Sequence, residues 1–191
     1  MREAEECGTV AQLNQMLMDF KCYQDEDVEA FLNYKAIDFL NKKLASTFLL
    51  FDKSKYDAGQ KFVEAYFSFA VKPIRLDGLS NNFKKRLTLG NASADIHTFM
   101  LVGQFGKYKR KETDTDTVYR STITSGEMFD IVLMYVAKLL ELIPFRFMLV
   151  ECKKEVYDNN IYQDLGFKPF PEQPINPDNG LYRLYMKTPK I

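Results

Sequence analysis

The stretch that decides the fold lies near the end of the chain, at residues 145–167, and reads FRFMLVECKKEVYDNNIYQDLGF. Its first part, FRFMLVECK, is an almost continuous apolar run, which is typical of a strand in the interior of a sheet. Its second part, EVYDNNIYQDLGF, predicts a short helix that ends at Gly166, because glycine readily adopts the conformation that closes a helix. A strand of this kind followed by a helix indicates helices packed on a sheet.

The segment before this stretch has the strongest helical periodicity in the chain. Its apolar residues recur at steps of three and one, and they are Met128, Ile131, Val132, Tyr135, Val136, Leu139 and Leu140. This spacing predicts a helix over residues 125–142. Leu133 and Met134 add apolar residues outside that stripe, so the helix is expected to be largely buried.

Four further segments read as strands. STFLLFDK predicts a short one, and KFVEAYFSFAV alternates so that Glu64, Tyr66 and Ser68 share the polar face of the next. The third, IHTFMLVGQFGKY, contains Gly103 and Gly106, which indicate a bulge or a point where another group approaches the backbone closely. LYRLYMK predicts the closing strand.

The remaining segments complete the expected order of elements. Residues 1–24 form a leader with one amphipathic helix, and a firm helix is expected over residues 28–44 with Asp25 or Asp27 as its N-cap. Residues 72–95 read as a loop with one short helix. We therefore predict a single domain over residues 25–191 of the α/β (α+β) class, with a mixed, largely antiparallel twisted sheet and helices on both faces.

Composition limits the classes of function. The chain has 191 residues, 46% of them hydrophobic, and its 26 basic and 26 acidic residues cancel. Zero net charge does not favour nucleic acid as a partner, and FKKRL and KYKRK are only local basic patches. The apolar runs are too short for a membrane span, and the N-terminus has no apolar signal core. Three cysteines without CxxC spacing indicate neither disulfides nor a metal site, so we expect a cytoplasmic, metal-free protein.

Three of these segments, within about residues 28–187, resemble the GNAT superfamily of acyl-CoA-dependent N-acetyltransferases. FMLVGQFGK resembles the family's pantetheine-binding strand, and STITSGEMFDIVL occupies the place of its pyrophosphate loop. VECKKEVYDNNIYQDLGF resembles its interior strand, crossover and F-Y-x-x-x-G-F ending. In the loop the sequence departs from the family's Q/R-x-x-G-x-G/A pattern, because Ser121 and Thr124 stand where the family has Q/R and the middle glycine.

The resemblance implies acetyl-CoA as cosubstrate and a set of residues that bind it. Backbone N–H groups at a helix N-terminus would bind the diphosphate, which does not require particular side chains. The implied cofactor-binding residues are Phe105, Gly106, Lys107, Thr122, Thr124, Ser125, Gly126, Glu127 and Asn159. A capped ordinary helix is the alternative interpretation of the loop.

The resemblance also implies that Tyr162 is the general acid that protonates the departing CoA thiolate. Tyr157 is the competing assignment, one turn away, and packing in the core is the structural alternative. The general base stays open among Glu64, Glu151 and His97, the only histidine. Glu151 would be costly to bury without a partner, which fits either a base or a structural hydrogen bond.

Two functions follow as expectations. The first is an N-acetyltransferase in which an amine attacks the thioester of acetyl-CoA directly. The second is a GNAT-fold CoA-binding or regulatory module without turnover. The acceptor amine is not indicated by the sequence, although the chain also resembles the toxin-like branch of the superfamily, which acetylates aminoacyl-tRNA. A monomer or a homodimer is expected.

Overall fold

A computed structural model describes residues 10–112 and 118–189; the start of the predicted leader, with Cys7, and residues 113–117 lie outside the described part. The helical segments are α1 (Val10–Met18), α2 (Glu26–Ala30), a π-helical turn (Phe31–Lys35), α3 (Ala36–Asn41), α4 (Lys53–Asp57), α5 (Asn81–Leu87), α6 (Ser125–Leu140), α7 (Lys154–Asp158) and α8 (Ile161–Asp164). The strands are β1 (Ser46–Leu50), β2 (Ala65–Arg75), β3 (Ile96–Lys107), β4 (Lys109–Lys111), β5 (Val118–Arg120), β6 (Phe147–Cys152), β7 (Lys168–Pro169) and β8 (Tyr182–Lys187).

Six strands form one sheet in the order β1-β2-β3-β6-β8-β7, and β4 and β5 form a separate antiparallel pair. β3 and β6 are parallel, with Leu101 opposite Leu149. β8 is antiparallel to both of its neighbours, and on β6 it places Arg183 opposite Glu151. The predicted class, a mixed and mostly antiparallel sheet with helices, is therefore confirmed.

The chain divides into two compact units, which are described in turn. The first contains residues 1–68 and 104–128, and the second contains residues 69–103 and 129–191. Strands β2 and β3 and helix α6 each contribute residues to both units. The prediction of one domain over residues 25–191 stays a prediction.

The core of the first unit forms around Tyr66. Its buried members are Leu17, Phe20, Cys22, Phe31, Leu32, Ala36, Val63 and Tyr66. We expected Tyr66 and Glu64 on a polar face of β2, and this was wrong, because both are buried. Burial is tolerated because the polar atoms have partners. The hydroxyl of Tyr66 donates to the carbonyl of Val28 at 2.6 Å, and Glu64 is bound as described below.

The helical segment of the first unit has one of the two predicted N-caps, but it begins two residues before the predicted start and ends three residues before the predicted end. Asp25 is the N-cap of α2, because its side chain accepts a hydrogen bond from the N–H of Asp27. α2, the π-helical turn and α3 together cover residues 26–41 rather than 28–44. Leu44 therefore lies beyond the helix and is 54% exposed, so its fit to the helical spacing was coincidental.

The core of the second unit lies on one face of the sheet. It consists of Ile74, Leu76, Leu79, Phe83, Leu87, Phe99, Phe147, Leu149, Phe170 and Tyr185. β6 is buried along most of its length, as predicted for an interior strand. α6 buries a single stripe, with Val132 and Val136 inaccessible and Met134 48% exposed. The expectation of a largely buried helix was therefore wrong.

The decisive stretch at 145–167 also differs from its prediction in one respect. The single expected helix is divided into α7 and α8 at Asn160, whose φ of 55° is left-handed. Gly166 ends α8 with a φ of 96°, which confirms its predicted role. Residues 72–75, expected in a loop, extend β2, and α5 is the short helix expected after them.

Candidate functional site

The N-terminus of α6 is closed by a capping box. The carboxylate of Glu127 accepts the N–H of Thr124 at 2.8 Å and its hydroxyl at 2.7 Å, and Thr124 Oγ1 accepts the N–H of Glu127 at 3.2 Å. These hydrogen bonds from Thr124 hold the pKa of Glu127 below its usual range. The Thr124 hydroxyl therefore donates to a carboxylate in this structure.

The capping box leaves two donors of the helix end unused. The first N–H groups of any α-helix have no intrahelical acceptor, and here these include the N–H groups of Ser125 and Gly126. Gly126 is exposed, and a Cβ at this position would meet nothing within 4 Å. An anion can therefore approach these two donors. This is the part of the predicted diphosphate loop that the structure leaves open.

Glu64 is held in the first unit by two partners. It is 3% exposed, and its carboxylate accepts hydrogen bonds from Lys55 Nζ at 2.6 Å and from the N–H of Thr122 at 3.2 Å. The bond with Glu64 raises the pKa of Lys55. Two of the predicted residues, Glu64 and Thr122, are thus in direct contact. The N–H of Thr122, expected to face a diphosphate, is engaged by this carboxylate.

Other groups approach the backbone closely at Gly106, as predicted for the glycines of β3. These groups are side chains of the same protein, Val28 and Tyr66. A Cβ on Gly106 would lie 2.4 Å from Val28 Cγ1 and 2.7 Å from the ring of Tyr66. Gly106 is therefore explained by packing in the core of the first unit. Phe105 and Lys107 flank it and are half-buried.

Glu151 lies in a buried polar cluster of the second unit. Its carboxylate accepts hydrogen bonds from Lys72 Nζ at 2.5 Å, from Asn176 Nδ2 at 2.9 Å and from Arg183 Nε at 3.3 Å. The side chains of Glu151 and Arg183 are each 7% exposed. A buried carboxylate needs partners, and two cations and an amide supply them for Glu151.

Tyr162 lies on α8 and is half-buried. Its ring packs edge-on against Phe167, with centroids 5.9 Å apart. The competing Tyr157, on α7, stacks on Tyr182 at 4.3 Å. Asn159 follows α7 and donates its side-chain amide to the carbonyl of Glu155 at 2.8 Å, so in this structure it closes that helix.

His97, the alternative base, is half-buried on β3 between aromatic rings. Its ring lies 5.0 Å from that of Phe99 and 5.8 Å from that of Phe147. Burial, followed by the nearby charge of Arg146, lowers the pKa of His97. Nε2 is enclosed and has no hydrogen-bond partner within the described residues. This environment favours a neutral ring.

The sequence did not single out Lys72, Asn176 and Arg183. Arg183 offered one signal, because it is the only charged residue between the leucines and tyrosines of LYRLY, where every second residue should face the core. In the described parts of the chain, no group of three metal-ligating side chains occurs and no helix is long and apolar enough to cross a membrane.

The chain has a GNAT-like fold, as the resemblance noted in the sequence implies. The chain is similar to a structure titled AtaTR bound with AcCoA, with 14% identity, a TM-score of 0.58 and coverage of 90% of this chain and 85% of that one. It is similar to AtaT complexed with acetyl-methionyl-tRNAfMet, with 17% identity, a TM-score of 0.62 and coverage of 90% and 87%. For a mutant of KacT the identity is 13%, the TM-score 0.60 and the coverage 90% and 87%.

These identities are low, so the similarity establishes a shared fold and no more. No protein-family model and no curated protein matches the sequence.

Proposed function

We propose that the chain is an N-acetyltransferase that transfers the acetyl group of acetyl-CoA to an amine acceptor by direct attack on the thioester. The N-terminus of α6 carries the proposal, because its Ser125 and Gly126 N–H groups are available for an anion. The shared fold supports it, since one structure with this fold, AtaTR, is bound with AcCoA.

In this proposal the diphosphate of CoA binds the N–H groups of Ser125 and Gly126. Both donors lie where the helix dipole is positive, and the missing side chain of Gly126 leaves room for the phosphates. Main-chain donors do not depend on side-chain identity, which explains how the site can tolerate threonine where the family pattern has glycine. Phe105 and Lys107, on β3, are proposed to contact the pantetheine arm through their backbone.

The proposed general acid is Tyr162. Attack on the thioester releases a thiolate, whose pKa of about 8.5 lies near that of a phenol at about 10, so proton transfer from tyrosine is feasible. The edge-on contact of its ring with Phe167 helps to orient the ring. The base stays open between Glu64 and Glu151, each of which is paired with a lysine.

For the acceptor, we propose aminoacyl-tRNA as the first class to test. The reason is the structure of AtaT with acetyl-methionyl-tRNAfMet, which shares this fold. The β4–β5 pair adds cations placed over tyrosine rings, with Lys109 Nζ 5.1 Å from the ring of Tyr23 and Arg110 5.6 Å from that of Tyr119. Tyr23 and Tyr119 are 44% and 48% exposed. Cations beside exposed aromatic rings suit nucleic acid, although the net charge of the chain is zero.

The test removes a single backbone donor. Ser125 occupies the first position of α6, where proline is well tolerated and its missing N–H breaks no intrahelical bond. We expect Ser125→Pro to weaken acetyl-CoA binding by about tenfold, since a hydrogen bond to a charged group is lost, as measured by calorimetric titration. Ser125→Ala keeps the N–H and should bind as the wild type does. Equal affinity in both variants would contradict the proposal, as would the absence of binding to the wild type at millimolar ligand.

The second candidate is a CoA-binding module without turnover. It is favoured by one observation, namely that Glu64 and Glu151 are both bound to cations, which occupy carboxylate oxygens that a general base would use. The two functions differ in the release of free CoA thiol in the presence of an acceptor. Thiol release with aminoacyl-tRNA or with a panel of small amines supports the enzyme. Binding of acetyl-CoA without release for any acceptor supports the module.

A further inference from the structure

On four strands of the second unit, a residue that belongs to the core or packs against it has a charged residue or a glycine two positions away. On the face that carries the core, alternate residues point the same way. The successive residues on that face are Ile74 and Lys72 on β2, Leu101 and Gly103 on β3, Leu149 and Glu151 on β6, and Tyr185 and Arg183 on β8. The first of each pair belongs to the core or packs against it. The second residues therefore form a polar patch directly beyond the core.

The charges of this patch do not balance. Lys72 and Arg183 both bind the carboxylate of Glu151, and Asn176, a neutral residue that is 1% exposed, completes its coordination. Two cations therefore face one anion. Buried charges are costly unless they are paired, so an excess positive charge at this depth suits a further anion.

Arg183 has donors to offer such an anion. Its guanidinium carries five N–H groups, and within residues 10–112 and 118–189 it gives one hydrogen bond, from Nε to Glu151. The enclosed side-chain atoms without partners in that part of the chain are on Thr47, His97 and Gln163. The outer nitrogens of Arg183 are not among them, although the residue is only 6% exposed.

Gly103 lies on β3, the strand between β2 and β6, and it places no side chain on the face that carries Glu151. The parallel pairing of β3 and β6 covers residues 100–102 and 148–150, so Gly103 and Glu151 come directly after its last pair. A side chain at this position would lie beside Glu151.

We propose that Lys72 and Arg183 bind an oxyanion of the acceptor, a carboxylate or a phosphate group, over Gly103. Glu151 and Asn176 are then positioning residues that hold the two cations in place. The geometry of the patch supports anion binding by itself, whereas the assignment of that anion to the acceptor rests on the proposed acetyltransferase function. A planar guanidinium with an ammonium beside it matches the oxygens of either group.

The test follows the Arg183 side chain directly. The Nε–H resonance of Arg183 is recorded by ¹H–¹⁵N NMR while inorganic phosphate or acetate replaces chloride at constant ionic strength and pH. We expect a saturable shift of this resonance with at least one of the two anions. Stronger binding of phosphate assigns the site to a phosphorylated acceptor, and stronger binding of acetate assigns it to an acceptor with a carboxylate. The absence of a saturable shift with both anions overturns the proposal.

Two variants separate the site from general charge effects. Lys72→Met keeps the Glu151–Arg183 pair and should weaken binding of the preferred anion by about tenfold, since a charge-assisted contact is lost. Gly103→Val keeps every charge and should abolish the shift by placing a side chain beside Glu151. Lys154→Met, which removes an exposed lysine bound to Asp158, is the matched control and should bind as the wild type does. Unchanged binding in both site variants overturns the proposal. Acetyl-CoA affinity is measured separately, so a failure of the proposed function would be distinguishable.

Discussion

Glu127 and Thr124 each satisfy a backbone donor of the other at the N-terminus of α6, over 2.8 Å and 3.2 Å. The bond brings a negative charge to the helix end at which we propose that a diphosphate binds. A carboxylate at this position stabilises the helix and repels a second anion. The capping carboxylate therefore opposes cofactor binding through its charge, although the diphosphate would use other donors, the N–H groups of Ser125 and Gly126.

Glu127→Gln should tighten acetyl-CoA binding by about two- to fivefold, because the amide keeps the capping hydrogen bond without the charge. Calorimetric titration at low and high salt measures the effect, and the gain should shrink as salt increases because screening removes the repulsion. Glu141→Gln, which removes an acid just beyond the other end of α6, is the matched control. Equal or weaker binding by Glu127→Gln would place the diphosphate elsewhere.

Tyr162→Phe should lower the acetyl-transfer rate by about 10²- to 10⁴-fold and leave acetyl-CoA affinity nearly unchanged, because only the proton donor is lost. Phenylalanine keeps the ring that packs on Phe167, so that packing contact is retained. Tyr157→Phe is the control, since its ring stacks on Tyr182 and retains that contact. A wild-type rate in Tyr162→Phe, measured as release of free thiol, would remove this residue from the mechanism.

Glu151→Gln should destabilise the protein by about 3 kcal/mol, because it leaves Lys72 and the buried Arg183 without their anion. Glu64→Gln should cost less, since its partner Lys55 is 35% exposed and is stabilised by water. Urea unfolding of both variants measures the difference. If Glu151→Gln unfolds at the wild-type urea concentration, the ion pairs do not hold the second unit together.

Much of the fold could be predicted because the sequence pattern of several segments agrees with the structure that they adopt. The apolar run of β6 and the glycine after α8 both follow from general preferences of the backbone, and the structure contains both. Tyr66 was misplaced because alternation assigns faces and does not reveal whether the second face is also covered. A tyrosine can occupy a core when a distant carbonyl, here that of Val28, accepts its hydroxyl.

The polar patch of the second unit was less accessible from sequence. Lys72, Glu151 and Arg183 lie on three different strands, and only the order of those strands brings them together. Of these three residues, only Glu151 could be singled out from the sequence, because a charged residue within an apolar strand needs a partner. The capping box at Thr124 and Glu127 has a local signature, T-x-x-E, and could have been recognised directly.

Gly106→Ala should destabilise the protein by about 1–3 kcal/mol, because the added Cβ would lie 2.4 Å from Val28 Cγ1 and 2.7 Å from the Tyr66 ring. Val28→Ala removes one of these contacts, so the double variant should recover part of the loss relative to the sum of the single changes. Gly126→Ala is the control, since nothing lies within 4 Å of its Cβ. Strict additivity in urea unfolding would show that Gly106 and Val28 do not meet.

His97 should make the protein less stable as the pH falls through about 6.5, the ordinary histidine pKa. Burial, followed by the charge of Arg146, lowers its pKa in the folded state. The unfolded chain therefore binds a proton first, so stability is complete above the unfolded pKa and decreases as the pH drops towards the folded one.

The dependence can be isolated because His97 is the only histidine in the chain. Unfolding free energies of the wild type and of His97→Phe, measured by urea titration on both sides of pH 6.5, give the histidine contribution by difference. Phenylalanine keeps a ring between Phe99 and Phe147 and has no proton to bind. We expect the wild type to lose stability relative to the variant on acidification. Parallel curves for the two proteins would mean that His97 is as easily protonated in the folded state as in the unfolded chain.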